Sequence, residues 1–434
     1  MRVYELASMS GEEKARLLRR AESRIEELIP QVQPVVEKVR DEGDRALIEY
    51  TREFDGVELE AEDIRVRESD FKLAYDLIEP RVLKAITISY KNVREYHQKL
   101  MPVETWYTRV APGITAGEKT TPISSAGLYV PRGKGTFPSV TLMLGVPAVV
   151  AGVGSIIICT PPGPGGQVDA ASLVAADMCG VRNIYRASGA QAMAAMAYGT
   201  ETIPRVQKIV GPGSGYVTAA KRLLYGRVDV GLPAGPSEAI ILADESTSPG
   251  IAAADLLIEA EHGPDSSALL VTHSRELVRQ VKEILPALIE ELPQPRRDYC
   301  HQVLNGYGGI VITDSVEEST RFANQFAPEH LELLVREPFE TLDLIENAGE
   351  VLLGPYTPIS LSNYSMGPNA ILPTGGFARS YSAVSVMDFL KRTTIARADA
   401  EGFSRLKKAV VTLAEYEGFP AHARAIKERD KEGG

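Results

Sequence analysis

The chain has 434 residues, more than one compact core usually serves, so about two to four domains or subdomains are expected. With 44% hydrophobic and 24% charged residues, its composition is that of a globular protein and not of a disordered or fibrous one. A formal net charge of -11 argues against nucleic acid or an anionic membrane as partner.

The opening "MRVYELASMSGEEKARLLRR" mixes charges throughout and has no apolar run, so no secretory signal is expected. Residues 11 to 52 read as helices, broken around Pro30 and Gly43, and residues 69 to 100 continue in the same style. From Gly135 to Val168 no residue is charged, which is long enough to raise a membrane span. Pro147, Pro161, Pro162, Pro164 and several glycines cut it into a short apolar helix and a buried strand. Each is too short to cross about 30 Å of hydrocarbon. Cys159, Cys179 and Cys300 lie far apart without a CxxC, which fits buried thiols in a reducing compartment. A soluble, cytoplasmic protein is expected.

After about residue 125 the texture changes. Short β-branched runs, "GLYV" (127–130), "SIIICT" (155–160), "NIYRAS" (183–188), "KIVG" (208–211) and "VDVGLP" (228–233), alternate with Ala- and Leu-rich segments. The alternation resumes after Ser237 with "AIILAD", a helix over 248–262, "SALLVTH", a long charged helix, "GGIVIT", "LELLV" and "EVLLG". Strand alternating with helix predicts parallel sheets with helices on both faces. The fold class is α/β, with two tandem Rossmann-like parallel-sheet domains and small helical extensions at the N- and C-termini. The tail from about 385 onward reads as helical and charged. Such sheets bind ligands at the carboxyl ends of their strands, and "VPRGKG", "ASGAQA", "VGPGSG" and "PAGPSE" supply small, glycine-rich loops. No GxGxxG opens a helix and no GxxxxGK[ST] is present, so a dinucleotide would have to bind through glycine turns at helix N-termini.

Six histidines are present, and three stand beside acids. In "IEAEHGPDS", Glu259 and His262 are three apart, which on a helix is one face. That is half of a metal site or the solvated end of a helix. In "FAPEHLEL", Glu329 and His330 are consecutive behind Pro328, so one could activate a water while the other takes a hydroxyl proton. His422 lies five residues after Glu417. His97, His273 and His301 read as structural or solvated.

"AGPSE", "EAEHGPDS", "FAPEHLEL", "LPTGG" with "VSVMDFLKR", and "GFPAHARA" stand in the order seen in histidinol dehydrogenases. "GLYVPRG", "SGAQAMAAMAYGT" and "KIVGPGSGYVTAAK" resemble that family's nucleotide-domain motifs. The resemblance covers the chain from about residue 20. It implies a zinc-dependent homodimer with shared active sites that uses two NAD in succession to take a primary alcohol through an aldehyde to a carboxylate. By motif, Glu329 resembles the residue that activates water and His330 the base that takes the alcohol proton. Tyr129, Gln191 and Ser214 match nucleotide-contacting positions, and Ser237 and Glu417 match substrate-contacting ones. Glu259, His262, Asn363 and, from the other subunit, His422 match the ligands of one zinc per subunit and also face the substrate, as does His330. The implied domains are a helical extension over 1–22, an α/β catalytic and metal domain over 23–128 plus 238–380, an NAD-binding domain over 129–237, and a C-terminal extension over 385–434 that contributes to the partner's site.

Departures from that pattern cluster at the chemistry. The family typically has glutamine where this chain has Glu259, aspartate where it has Asn363, histidine where it has Ala370, and asparagine where it has Ser214. The first two changes are opposite in charge, so the ligand set keeps a formal charge of -1. A rearranged but functional metal site is therefore expected. Ala370 removes a polar partner near the substrate without visible compensation, which favours a paralogue acting on another hydroxymethyl compound, such as the sulfonated propanediols some relatives oxidise, over L-histidinol. The competing readings are a metal-dependent hydrolase that works without NAD and a non-catalytic ligand-binding relative.

Overall fold

The computed structural model describes residues 1–20, 25–132 and 135–432. The expected boundary between residues 22 and 23, and Gly133 and Lys134 of the "VPRGKG" loop, lie outside them. Two compact units emerge: Met1–Leu100 with Ser124–Phe389, and Met101–Ile123 with Leu390–Gly434.

Thirteen strands form among the described residues. The first four are β1 (Val3–Glu5), β2 (Thr105–Ala111), β3 (Ile114–Pro122) and β4 (Ser125–Tyr129). Next come β5 (Ser155–Thr160), β6 (Ile184–Arg186), β7 (Lys208–Val210), β8 (Glu238–Ala243) and β9 (Ser267–Thr272). The last are β10 (Gly309–Ile312), β11 (His330–Leu334), β12 (Glu350–Leu353) and β13 (Leu390–Ala398).

The first unit holds two parallel sheets, as the strand–helix alternation predicts. One has the order β6-β5-β4-β7 and the other β1-β10-β9-β8-β11-β12. In each, the strand that comes first in the α/β run (β4, β8) has later strands on both sides. The strand order reverses there, at β4/β7 and at β8/β11. β8 and β9 are buried along their whole length because helices cover both sheet faces. Their side chains alternate between two cores. Ala239, Ile241 and Ala243 pack with the helices Pro249–Ala260, Arg275–Glu290 and Arg296–Asn305. Ile240 and Leu242 pack on the other face with Phe322 and Phe326 of the helix Val316–Phe326.

The uncharged stretch becomes the 13-residue helix Pro138–Val150 and β5. No helix among the described residues is long and apolar enough to cross a membrane. All three cysteines are free and buried.

Three local expectations are corrected. Pro30 does not break its helix, which runs Ile25–Glu42 through both Pro30 and Pro34. Both prolines are exposed, so water can satisfy the carbonyls they leave unpaired. "VDVGLP" makes only isolated bridges at Val228 and Asp229 and is not a strand. Within the charged tail, Leu390–Ala398 is a strand, and helix begins at Ala400.

The second unit is the antiparallel sheet β13-β3-β2 with the helices Ala400–Tyr416 and Pro420–Glu432. Its turn packs so closely that a Cβ on Gly402 would lie 2.3 Å from the Gly113 carbonyl oxygen.

Candidate active site

The chemistry-bearing residues gather at the amino ends of β8, β11 and β12, not at the carboxyl ends where the sheet rule places ligands. The helix Val316–Phe326 stops at Ala327, which adopts a left-handed conformation (φ 51°), and Pro328 then stiffens the entry to β11. Gly349 donates its N–H to the Pro328 carbonyl (2.9 Å) and Glu350 donates to the Glu329 carbonyl (3.0 Å). A Cβ at Gly349 would sit 2.5 Å from the Glu329 carbonyl oxygen, so this zipper requires glycine. It delivers Glu329 and His330 into the cluster as rigid groups, 8% and 2% exposed.

Glu259 arrives from the last turn of the helix Pro249–Ala260 and is fully buried. A helix C-terminus carries negative partial charge, so a buried carboxylate there calls for a cation. His262 follows on the turn, its Nδ1 3.3 Å from Glu259 Oε2 and 3.0 Å from Ser237 Oγ. Asn363 Nδ2 donates to Glu259 Oε1 (3.2 Å). His330 Nε2 lies 3.9 Å from Glu259 Oε1 and 3.9 Å from Glu329 Oε1. Glu259, Glu329 and His330 can each offer a ligand atom, all within 4.8 Å of one another.

Charge in this confined space shifts the titrations. Burial, with help from Glu259, pushes the Glu329 carboxyl well above the usual carboxylate range, against the pull of His330. Burial works against a charged His330, but Glu329, the Glu350 hydrogen bond and Glu259 together raise it to about 10. Burial also works against the Glu259 carboxylate, yet His262, His330 and hydrogen bonds from Asn363 and Ser237 hold it below its ordinary value.

Six of the residues picked out from sequence are therefore linked contact by contact: Ser237, Glu259, His262, Glu329, His330 and Asn363. Glu417 and His422 belong to the second unit and are exposed. Tyr129, Gln191 and Ser214 stand at the carboxyl edge of the four-stranded sheet. The Tyr129 hydroxyl accepts the Gly189 N–H (3.0 Å) and Gln191 Nε2 donates to Ser188 Oγ (2.9 Å); both side chains are buried. Ser214 is exposed and precedes the helix Gly215–Leu224. A cavity of about 690 Å³ is lined by Ser214, Gly215 and Lys221 as well as by Glu238, Asp265 and Thr374.

Four acids were not picked out from sequence. Glu238 begins β8, donates its N–H to Glu329 Oε2 (2.9 Å), and its Oε1 accepts the Gly375 N–H (2.9 Å) beside Arg20 Nε (3.3 Å). Glu350 Oε1 lies 2.6 Å from His330 Nδ1, and its Oε2 accepts the Ser362 hydroxyl (2.6 Å). Asp255, one turn before Glu259, shares a hydrogen bond with Glu332, two residues after His330. Burial, then Asp255, drives Glu332 to about 9. A signal existed for the strand residues. Glutamates inside "EAIILA", "HLELL" and "EVLL" are out of place in parallel strands covered on both faces.

The family model for histidinol dehydrogenase matches residues 18–430. A relative from Synechocystis sp. named histidinol dehydrogenase is 51% identical over 429 residues, covering 99% of each chain. One from Cereibacter sphaeroides, named histidinol dehydrogenase homolog, is also 51% identical, over 423 residues, covering 97% of this chain and 96% of that one. The solved histidinol dehydrogenase of Elizabethkingia anophelis superposes with a TM-score of 0.93 at 36% identity, covering 100% of this chain and 98% of that one.

Proposed function

Because the chain belongs to the histidinol dehydrogenase family, we propose that it takes a primary alcohol through an aldehyde to a carboxylate with NAD, at the amino-end cluster of the six-stranded sheet. The observation that carries this is the buried Glu329 and His330 pair, with Nε2 and a Glu329 oxygen 3.9 Å apart and both facing Glu259. His330 Nε2 is left free to take the proton of the alcohol hydroxyl, because a cation held at Glu259 would oppose the doubly protonated ring that the surrounding acids favour. Glu329, held by the Glu238 N–H, then directs a water at the aldehyde carbon. Ser237 and, from the partner's C-terminal extension, Glu417 would serve as substrate contacts.

The residues present fit a divalent metal. The Glu259 carboxylate is fully buried, with Oε2 facing the His262 ring 3.3 Å away, in a cluster rich in carboxylates. Glu259, His262 and Asn363 would hold one zinc, with Asn363 turning its amide to present Oδ1 and His422 of the partner subunit completing the set. Activity would then require the homodimer. When bound, zinc polarises the substrate hydroxyl and NAD accepts the hydride. The 129–237 segment is the proposed NAD domain, with Tyr129, Gln191 and Ser214 around the β4/β7 strand ends. The reversal of strand order there and the cavity running from Ser214 to Glu238 support this placement.

Ala370 favours a hydroxymethyl compound other than L-histidinol. Relatives at equal identity are named both histidinol dehydrogenase and homolog, so resemblance alone does not select the substrate. NAD reduction across a panel of primary alcohols, L-histidinol included, tests the reading. Turnover with at least one alcohol is expected, and none with metal bound would overturn it. Glu259→Gln removes the one anionic ligand, so elemental analysis should find the variant depleted in metal by about tenfold or more. Unchanged metal content would contradict the charge-exchange argument.

A further inference from the structure

β11 and β12 run parallel with His330 opposite Glu350 in register. Residues paired in this way on neighbouring strands point to the same face about 4.8 Å apart, so the backbone itself aims the carboxylate at the ring. The contact made, 2.6 Å from Nδ1 to Oε1, is at the short end for a hydrogen bond between a ring N–H and a carboxylate. Glu350 is not free to swing away. Its other oxygen accepts the hydroxyl of Ser362 (2.6 Å), from the helix Ile359–Tyr364. The two ring nitrogens of His330 are thus divided: Nε2 faces Glu259 and Glu329, and Nδ1 faces Glu350. Glu350 also lines a second cavity of about 600 Å³, shared with Thr357, Asn369 and Ser385.

We propose that Glu350 is a positioning residue for the base His330: its carboxylate accepts the Nδ1–H and fixes the ring with an unprotonated Nε2 toward the reacting hydroxyl. The inference rests on the alcohol oxidation proposed above. In that step the O–H proton passes to Nε2 and the C–H hydride passes to NAD. A C=O bond forms, and the ring, now carrying two protons, is paired with the Glu350 carboxylate until solvent takes one away. Without Glu350 the neutral ring is free to protonate at Nε2, the tautomer that cannot act as base, and the imidazolium loses its counter-charge.

Glu350→Gln tests this, because it keeps size and hydrogen-bonding capacity but can donate to Nδ1 and so stabilise the wrong tautomer. The expected result is a fall in kcat of about 10²- to 10³-fold, with KM for alcohol and NAD and the metal content changed less than about threefold. Ser362→Ala, which loosens the carboxylate without removing it, should lower kcat by about 3- to 10-fold. A second readout needs no turnover. In protein labelled with ¹⁵N at histidine, the His330 Nδ1–H should give a low-field proton resonance that disappears in Glu350→Gln. Wild-type kcat in Glu350→Gln, or a ring-proton resonance unchanged by it, overturns the proposal. Wild-type turnover is measured first. Its absence defeats the oxidation itself, whereas wild-type turnover with an unimpaired Glu350→Gln defeats only the positioning role.

Discussion

The two parallel sheets share a strand order around their reversal points, and the proposed function draws on opposite ends of it. In the four-stranded sheet, the loops leaving β6 and β7 are small and carry no charge, and Ser214 precedes a helix there. In the six-stranded sheet the equivalent crevice, between the ends of β8 and β11, is stitched shut. Asp244 Oδ1 accepts the Ser246 N–H (2.8 Å), Asp244 Oδ2 accepts the Arg336 N–H (2.8 Å), and Thr247 donates to the Leu334 carbonyl. Its charge sits at the other edge instead, where Glu238, His330 and Glu350 each occupy the first position of a strand. A crevice at a strand carboxyl end is thus an opportunity that the fold offers and side chains can decline. What decides is where buried titratable groups are supported by neighbours.

The sharpest way to break this comparison is to disable each end of the six-stranded sheet in turn. His330→Asn at the amino end should lower kcat by at least about 10³-fold with little change in fold. Asp244→Ala at the carboxyl end should cost about 2 kcal/mol of stability through lost loop hydrogen bonds and leave kcat within about twofold. Equal catalytic damage from the two would erase the distinction. A smaller effect sharpens it. Glu332 is raised by burial to about 9 from an ordinary 4.5, so the fold favours its protonated form. A carboxyl shifted upward costs stability progressively as pH rises from the unfolded value toward the folded one. Glu332→Gln should therefore be more stable than wild type at pH 8, by about 1 kcal/mol or more, with the gap closing toward pH 5. Thermal unfolding at the two pH values measures it, and a pH-independent gap would contradict the buried-acid reading.

Much of this was legible in the sequence, and for identifiable reasons. Strand–helix alternation specifies parallel sheets because both faces must be apolar, and "SALLVT" and "AIILA" could hardly fold otherwise. Glu329 and His330 were visible because they are adjacent, and Glu259 and His262 because helical spacing puts them on one face. Glu350 was not, because its meaning depends on the register of β12 against β11, which no local pattern encodes. The antiparallel sheet of the second unit was missed because β2 is exposed along almost its whole length and shows no inward apolar alternation. "VDVGLP" misled in the opposite direction, with strand-forming residues where the chain makes only single bridges. The reach of Glu417 and His422 toward a site came from resemblance alone.

In the proposed oxidation two neighbours divide the labour: His330 would serve the alcohol step and Glu329 the water that attacks the aldehyde. Counting reduced NAD per alcohol consumed in Glu329→Gln tests that division most directly. Oxidising an alcohol to an acid reduces two NAD, so the wild type should give two per alcohol. The variant should give one and accumulate aldehyde, because His330 still removes the first proton while the directed water is lost. Two NAD reduced per alcohol in the variant at the wild-type rate, or no first oxidation at all with metal retained, would contradict it.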